Sequence, residues 1–224
     1  MIEAIVCDFG GVLTTPLEDA FAAHAEHSGI SNEDLGAAIF AVAERNGANP
    51  LYELETGRMT ESDFLQLVAG ELQDRLQREL DITTFADIYW QHLHPNTELI
   101  EYVRSLRHER GYRTALLTNN VREWRPRWEA MIPVDELFEL VVDSSEVGLR
   151  KPDPAIYTLT VDRLGLAPEA CLLIDDFAHN CEAAVAEGMR AVHFRETAQA
   201  IAEIEAAIAN SDDAQVSVPS RSQT

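Results

Sequence analysis

The sequence predicts an α/β protein in which a helical segment is inserted into a parallel β-sheet core. Residues 2–7 form one apolar strand pattern, residues 17–93 show helical periodicity without a convincing strand, and short apolar strands alternate with helices after Pro95. Such alternation is typical of parallel βαβ units with right-handed crossovers. We therefore expect a Rossmann-like α/β core at residues 1–14 and 95–210, with a helical cap at residues 15–94.

The later strands are short and apolar. They are predicted at residues 114–118, 138–143, 171–174 and 190–194, with helices at 98–110, 154–164 and 179–187. An alanine-rich helix at residues 197–210 should close the fold. The polar segment 211–224 lacks aromatic residues and is predicted to be disordered.

Composition limits the classes of partner. The chain has 224 residues, 46% of them hydrophobic and 25% charged, which is typical of a globular protein. Its formal net charge of −22 repels nucleic acids and anionic membranes, so neither is an expected partner. The same charge repels phosphorylated molecules, so a phosphate site would need a local cluster of cations and N–H groups.

Cysteine usage and apolar runs bear on the compartment. The three cysteines form no CxxC pair, so neither a disulfide framework nor a zinc site is indicated. The first residues lack a signal-type pattern, and no run reaches 18 apolar residues. We therefore expect a cytoplasmic protein.

Asp8 is the first candidate catalytic residue. It follows the opening strand directly and precedes a turn containing Gly10 and Gly11. The carboxyl ends of parallel strands line the ligand crevice of such folds, so this carboxylate is expected there with the N–H groups of the turn. A turn aspartate that bonds its own backbone, next to ordinary turn glycines, is the alternative interpretation.

Thr118 and Asn119 end the next predicted strand. A hydroxyl at a strand end can donate a hydrogen bond to a phosphate oxygen, although a helix N-cap is the alternative role for both residues.

Lys151 lies between Arg150 and Pro152 in a loop that Pro154 also stiffens. Its flexible ammonium group suits a phosphate or an aspartyl-phosphate. A solvated loop lysine is the alternative, and Arg150 is expected to be surface charge.

Asp175 and Asp176 end the apolar strand at residues 171–174. Adjacent carboxylates repel each other unless a cation or a proton intervenes, and hard oxygen ligands suit Mg²⁺. Capping of the following helix is the alternative. All four features are individually weak, but they occur in one order at the ends of predicted parallel strands.

These segments together resemble the haloacid dehalogenase-like superfamily, in particular its phosphatase-like branch with a small helical cap. The resemblance covers residues 1–208 and is carried by residues 5–13, 116–119, 148–153 and 173–180. It implies that Asp8 is a nucleophile that forms an aspartyl-phosphate, and that Thr118 and Lys151 hold the phosphoryl oxygens. Gly10, Gly11 and Asn119 would help to bind the phosphate.

The resemblance also implies a Mg²⁺ cofactor. Its ligands would be Asp8, Asp176 and Asp175, with the backbone carbonyl of Gly10. Asn180 would be a supporting polar residue. The expected substrate is a small phosphorylated metabolite, and the sequence leaves monomer and homodimer open.

Gly10 departs from the pattern of most phosphatases of this family, which carry a second aspartate there as general acid and base. Losing such a group costs on the order of 10²–10⁴ in rate. Three interpretations follow: a phosphatase with another proton source or a good leaving group, a 2-haloacid dehalogenase-type hydrolase, or a non-catalytic module that binds phosphate and Mg²⁺. The dehalogenase interpretation conflicts with the retained aspartate pair.

Substrate selectivity is expected to lie in the inserted segment. Its polar candidates are Glu44, Arg45, Asn46, Tyr52, Glu55 and Arg58, most of which are expected to be solvated. His92 and His94 are candidate proton donors, although a hinge or surface position is the more ordinary role. Residues 122–128 interleave basic and aromatic side chains and predict a partly buried helix.

Overall fold

The computed structural model of the protein describes residues 1–80 and 84–216, with side chains described through residue 211. Five parallel strands form one sheet in the order β3-β2-β1-β4-β5. The strands are β1 (Ala4–Cys7), β2 (Arg113–Thr118), β3 (Leu140–Asp143), β4 (Cys171–Asp175) and β5 (Arg190–His193). This arrangement confirms the predicted Rossmann-like α/β core.

The strand order changes direction at β1, with β2 and β3 on one side and β4 and β5 on the other. Cys7 pairs with Leu116 of β2 and with Ile174 of β4. The next residues along these strands, including Asp8 and Asp175, therefore emerge together at the carboxyl edge. Ligands of open parallel sheets bind at such a switch point.

Helices cover both faces of the sheet. In the core they are α6 (Thr97–His108), α7 (Arg125–Met131), α8 (Val134–Leu137), α9 (Ser144–Val147), α10 (Pro154–Leu164), α11 (Ala178–Ala186) and α12 (Thr197–Val216). Alternate residues of β1 enter different hydrophobic clusters: Ile5 packs on one face, and Val6 packs on the other. Two-sided burial explains why the strand patterns are continuous apolar runs.

The described residues of the inserted segment form helices joined by short loops, with no β-strand among them. It contains α1 (Leu17–Ser28), α2 (Asn32–Asn46), α3 (Pro50–Glu55), α4 (Glu61–Leu76) and α5 (Phe85–Gln91). Ser31 and Thr60 cap α2 and α4 by accepting hydrogen bonds from the N–H groups of Asp34 and Asp63.

The chain leaves and re-enters the core along two adjacent backbone segments. The N–H of Thr15 donates to the carbonyl of His94 at 2.7 Å, and the N–H of Asn96 donates to the carbonyl of Leu13 at 2.8 Å. These bonds fix the entry and exit points of the insert beside the end of β1.

Most element boundaries lie within two residues of the sequence prediction, and two of the differences have a clear structural reason. Strand β3 begins at Leu140 instead of residue 138, because Phe138 is the C-cap of α8 and its ring is buried in the core. Helix α12 extends to Val216, six residues beyond its predicted end. Ser211 supports this extension: its hydroxyl accepts from the N–H of Ile2 and donates to the carbonyl of Ile208. Residues 217–224, also predicted to be disordered, lie outside the described residues.

Within residues 1–80 and 84–216, none of the helices combines the length and the apolar character that crossing a membrane requires.

Candidate active site

A buried ion cluster lies at the carboxyl ends of β1 and β4. The Lys151 Nζ is 2.8 Å from Asp8 Oδ1 and 2.6 Å from Asp175 Oδ2. The Lys151 side chain is 1% exposed, so this ammonium group is not the solvated loop lysine of the alternative interpretation. Residues 8, 151 and 175 therefore come together as the sequence order predicts.

The two adjacent aspartates differ in their surroundings. Both oxygens of Asp175 are engaged, Oδ2 by Lys151, and Oδ1 by the N–H of Phe177 and the Nδ2 of Asn180. Asp176 has a buried Oδ1 without a hydrogen-bond partner among the described groups. Asp175 therefore positions Lys151, whereas Asp176 presents an unsatisfied oxygen. Neither side chain caps the following helix, whose N-cap is Phe177 and has no side-chain cap.

Gly11 is required by a close approach of Asp176. The backbone of Gly11 has a φ of +75°, and a Cβ at this position would lie 2.3 Å from Asp176 Oδ2. Only glycine meets both conditions without strain. The turn after β1 therefore leaves space that the Asp176 carboxylate fills.

Thr118 and Asn119 have different positions. Thr118 is 2% exposed, ends β2 and lines the cavity that contains Asp8. Asn119 clamps the loop backbone of Lys151: its Nδ2 donates to the Lys151 carbonyl at 2.9 Å, and its Oδ1 accepts from the Lys151 N–H at 2.8 Å. We assign Asn119 a positioning role on this basis, and its contact with phosphate stays a prediction.

The cluster carries excess negative charge. Burial, reinforced by Asp175 and Asp176, raises the pKa of Asp8 to about 8 despite Lys151. Burial and Asp175 likewise raise the pKa of Asp176 to about 6. Burial would lower the pKa of Lys151, but Asp175 and Asp8 outweigh it, so the pKa is raised and the ammonium stays charged. When all three carboxyl groups are ionised, the single ammonium group leaves a deficit of two positive charges.

A divalent cation fits this deficit. Carboxylate oxygens of Asp8, Asp175 and Asp176 lie within 4.8 Å of one another. Oxygen atoms this close together would suit Mg²⁺, which takes carboxylate oxygens as ligands. The buried, unpartnered Oδ1 of Asp176 and the hard-oxygen donor set agree with Mg²⁺. The carbonyl of Gly10 stays a predicted further ligand.

The expectation that Arg150 is a surface charge is wrong. Its Nε is 2.6 Å from Glu55 Oε2 of the insert, and its guanidinium lies 3.9 Å from the centre of the Tyr52 ring. The hydroxyl of Ser144 also donates to the carbonyl of Glu55 at 2.6 Å. These contacts join α3 to the core at the edge of the cavity. The sequence indicated Glu55 and Tyr52 as candidates, but a single arginine in a loop gave no signal of its distant partner.

The remaining candidates of the insert lie away from the cavity lining. Glu44, Arg45, Asn46 and Arg58 are exposed, as expected for solvated helix faces. His92 and His94 are also exposed, which favours their ordinary hinge role over proton donation. The predicted helix near residue 125 is present as α7, and its Trp128 is fully buried.

An aromatic group that the sequence analysis missed lies beside the cluster. The rings of Phe85, Tyr89 and Trp124 contact one another, with centroids of Tyr89 and Trp124 5.1 Å apart. The Trp90 ring contacts Tyr89 and Trp124. Burial and the nearby Asp8 carboxylate raise the pKa of Tyr89, which keeps its phenol neutral. The density of aromatic residues in α5 was the available signal.

Comparison with known proteins identifies the class. A family model described as haloacid dehalogenase-like hydrolase matches residues 2–188, and the chain belongs to this family of enzymes. A phosphorylated carbohydrates phosphatase from Thermotoga maritima is 29% identical over 202 residues, which cover 86% of this chain and 84% of that protein. The mouse acyl-CoA dehydrogenase family member 10 is 26% identical over 91% of this chain, but the chain spans only 19% of that protein's length.

Solved structures support the same fold. A haloacid dehalogenase family enzyme from Bacteroides thetaiotaomicron, in complex with magnesium and inorganic phosphate, superposes with a TM-score of 0.62. The two chains are 20% identical, and the match covers 87% of this chain and 95% of that one. The L-2-haloacid dehalogenase from Xanthobacter autotrophicus has a TM-score of 0.61 and 21% identity, with 90% and 81% covered.

Proposed function

We propose that this hydrolase removes phosphate from phosphate monoesters with Mg²⁺, through an aspartyl-phosphate on Asp8. The observation that carries the proposal is the buried cluster in which Lys151 bridges Asp8 and Asp175 beside the unsatisfied Asp176. Phosphatases among the relatives, including the Thermotoga protein, support this choice.

The reaction would proceed in two displacements at phosphorus. A carboxylate oxygen of Asp8 attacks the phosphorus atom, the ester P–O bond breaks, and its electron pair leaves on the alcohol oxygen, which takes up a proton. Water then attacks the same phosphorus, loses a proton, and releases inorganic phosphate. The second step restores the Asp8 carboxylate.

Lys151 and Thr118 would hold the phosphoryl oxygens as negative charge spreads over them. Lys151 is held for this role by Asp175 and by the backbone clamp of Asn119. When bound by Asp8, Asp176 and Asp175, Mg²⁺ would neutralise charge on the phosphoryl group. Lys151, whose Nζ contacts Asp8 Oδ1, would also orient Asp8 for in-line attack.

Because Gly10 cannot protonate a leaving group, the rate of hydrolysis should depend on how readily the alcohol leaves without a proton. An aryl oxide leaves without prior protonation, whereas an alkoxide needs a proton donor. We therefore expect an aryl phosphate to be hydrolysed faster than an alkyl phosphate, by on the order of 10²-fold or more.

The direct test uses p-nitrophenyl phosphate and Mg²⁺. Wild-type protein should release nitrophenol, and both EDTA and Asp8→Asn should abolish the release. Asp135→Asn, which changes an exposed carboxylate of α8, is the matched control and should retain full activity. Equal activity of Asp8→Asn and Asp135→Asn would contradict the proposal.

Gly10→Asp tests whether the lack of a general acid at this position limits turnover. A Cβ at Gly10 would lie 3.2 Å from a methyl group of Leu17, a flexible side chain that can shift slightly. The variant should raise turnover of alkyl phosphates at least tenfold while changing aryl phosphates less. Gly10→Asn introduces a similar volume without an acid and is the control. Unchanged alkyl turnover would show that another group supplies the proton.

A 2-haloacid dehalogenase-type reaction is the second candidate, because halide leaves without protonation and Gly10 would then cost little. The retained Asp175 and Asp176 pair argues against it, since displacement of halide does not need a metal site. Halide release from 2-haloacids without metal would favour this candidate. A phosphate-binding module without turnover is the third candidate. Mg²⁺-dependent binding of a phosphate analogue without hydrolysis of any phosphate would favour it.

We also propose that residues 15–94 act as a cap over the site. Glu55 and Tyr52 of α3 approach Arg150 of the catalytic loop, so the insert contacts the core within a few residues of Lys151. A cap in this position would exclude water from the aspartyl-phosphate until the alcohol has left.

A further inference from the structure

A cavity of about 500 Å³ extends from the catalytic cluster into the helical insert. Asp8, Thr118 and Lys151 line its core end. Cavities of this size accommodate small-molecule ligands. The side chains at the other end of the cavity, inside the insert, therefore decide which organic group can accompany the phosphate.

The far wall is apolar and lies inside the insert. It is formed by side chains of α2, α4 and the loop before α2: Ile30, Leu35, Ile39, Phe64, Leu65 and Val68. These residues also belong to the hydrophobic cluster that packs α2 against α4. The cavity is thus an extension of the insert's own core.

Aromatic rings form the section between the two ends. Phe21, Phe85, Tyr89 and Trp124 all line the cavity, and the Phe85 and Tyr89 rings stack with centroids 6.0 Å apart. A ligand that reaches from the phosphate site to the apolar wall would pass along these ring faces.

The lining is mainly apolar, and several of its polar groups are already engaged. Three buried polar atoms of lining residues have no partner among the described groups: His24 Nε2, Trp90 Nε1 and Asn180 Oδ1. Glu55 is engaged by Arg150, and Glu61 accepts a hydrogen bond from the indole N–H of Trp124 at 2.8 Å. Asn119 is engaged by the Lys151 backbone. A sugar would bury several hydroxyls against apolar side chains, and each buried hydroxyl without a partner is unfavourable.

We propose that the site selects organophosphates whose organic part is an extended apolar chain or ring system, with the phosphate on Lys151 and the apolar part against α2 and α4. This inference rests on the proposed phosphatase function for turnover. The binding preference itself rests on the cavity wall.

The test is a series of n-alkyl phosphates from ethyl to decyl, kept below micelle-forming concentrations, with glucose 6-phosphate as the polar comparator. Leaving-group reactivity is nearly constant along this series, so changes report binding of the chain. Each methylene that reaches the apolar wall should raise kcat/KM by about fourfold, the transfer preference of one CH₂ group. Glucose 6-phosphate should be hydrolysed less efficiently than hexyl phosphate.

A matched pair of variants locates the effect. Ile39→Trp adds volume on the cavity side of α2 and should lower the decyl-to-ethyl ratio of kcat/KM at least tenfold. Phe40→Trp changes the next residue, which is 62% exposed on the outer side, and should leave that ratio unchanged. Circular dichroism and urea unfolding of both variants verify folding. An equal ratio in the two folded variants would overturn the proposed location.

The outcomes separate the two proposals. If p-nitrophenyl phosphate is hydrolysed but the alkyl series is flat, or glucose 6-phosphate is preferred, the apolar preference is wrong and the phosphatase function stands. If no phosphate is hydrolysed, the phosphatase function is wrong, and calorimetry with ethyl and decyl phosphonate decides the binding preference. Tighter binding of decyl phosphonate supports it, whereas equal or absent binding overturns it.

Discussion

At Gly11 the backbone conformation and the carboxylate cluster depend on each other. Its positive φ disfavours any side chain, and the position of Asp176 leaves no space for one. Gly47 has nearly the same φ, +74°, but a Cβ there would meet no described atom within 4 Å beyond its chain neighbours. The two glycines thus share a positive φ, but only at Gly11 would a side chain collide with Asp176.

Gly11→Ala should therefore weaken Mg²⁺ binding at least tenfold, because the new methyl group displaces Asp176. Gly47→Ala should leave Mg²⁺ binding unchanged. Both variants should lose about 1–2 kcal/mol of unfolding free energy, the strain of a non-glycine residue at positive φ. Calorimetric titration with Mg²⁺ and urea unfolding measure the two effects, and equal Mg²⁺ affinities would contradict the prediction.

At the scale of elements, α3 contacts the loop that carries Arg150 and Lys151. The Arg150–Glu55 pair is only 19% and 17% exposed, whereas the Arg58–Glu53 pair in the insert has an Arg58 that is 55% exposed. Burial raises the pKa of Glu55 while Arg150 opposes the rise, so removing Arg150 leaves a poorly solvated carboxylate.

Arg150→Met should accordingly lower the unfolding free energy by about 1–3 kcal/mol, the cost of an unpartnered buried polar group. It should also lower kcat/KM by loosening α3 from the loop that carries Lys151. Arg58→Met should cost less than about 1 kcal/mol, as is usual for an exposed ion pair. Urea unfolding and steady-state kinetics of both variants test this, and identical losses would refute the special role of α3.

Helix α1 contains a buried histidine that links insert stability to pH. His24 is 3% exposed, and its ring centre lies 4.6 Å from that of Phe85 in α5. Burial, with a smaller contribution from the His27 charge, lowers the pKa of His24 below its usual 6.5. The unfolded chain therefore takes up a proton at this residue before the folded chain does, as the pH falls through about 6.5.

The His24 contribution should consequently lower stability between pH 7.5 and 5.5, because proton uptake by the unfolded state favours unfolding. The raised pKa values of Asp8 and Asp176 act in the opposite direction, because at these residues the folded state takes up the proton first. In His24→Phe the histidine contribution is removed, so the change in melting temperature from pH 7.5 to 5.5 should favour the folded state more than in the wild type. Thermal unfolding of both proteins at the two pH values makes the comparison. Equal changes in the two proteins would show that His24 does not contribute.

At the scale of the whole molecule, the net charge of −22 acts on both proposed ligands with opposite sign. It repels a phosphate dianion and attracts Mg²⁺. Salt screens such fields over distances near 10 Å at 0.1 M ionic strength.

Raising NaCl from about 20 to about 200 mM should therefore lower KM for p-nitrophenyl phosphate at saturating Mg²⁺, while it weakens the apparent Mg²⁺ affinity. Steady-state kinetics at several salt concentrations, with Mg²⁺ varied separately, measure both trends. If added salt raised KM for p-nitrophenyl phosphate, or strengthened the apparent Mg²⁺ affinity, this account would be contradicted.

The sequence by itself determined the fold class, the order of the elements and the identity of the central residues. Asp8 follows β1, Thr118 ends β2 and the Asp175–Asp176 pair lies at the end of β4, and parallel strands bring their carboxyl ends to one edge. That inference needs only local patterns, because apolar runs and the residues directly after them are adjacent in the chain.

Tertiary structure decided the features that depend on partners distant in sequence. Asp175 and Asp176 look equivalent in the sequence, but only Asp175 is bound by Lys151, which lies 24 residues earlier. Arg150 looks like surface charge until Glu55, 95 residues away, pairs with it. The apolar cavity likewise requires the helices of the insert to pack around one space, and no local pattern encodes a space enclosed by several helices.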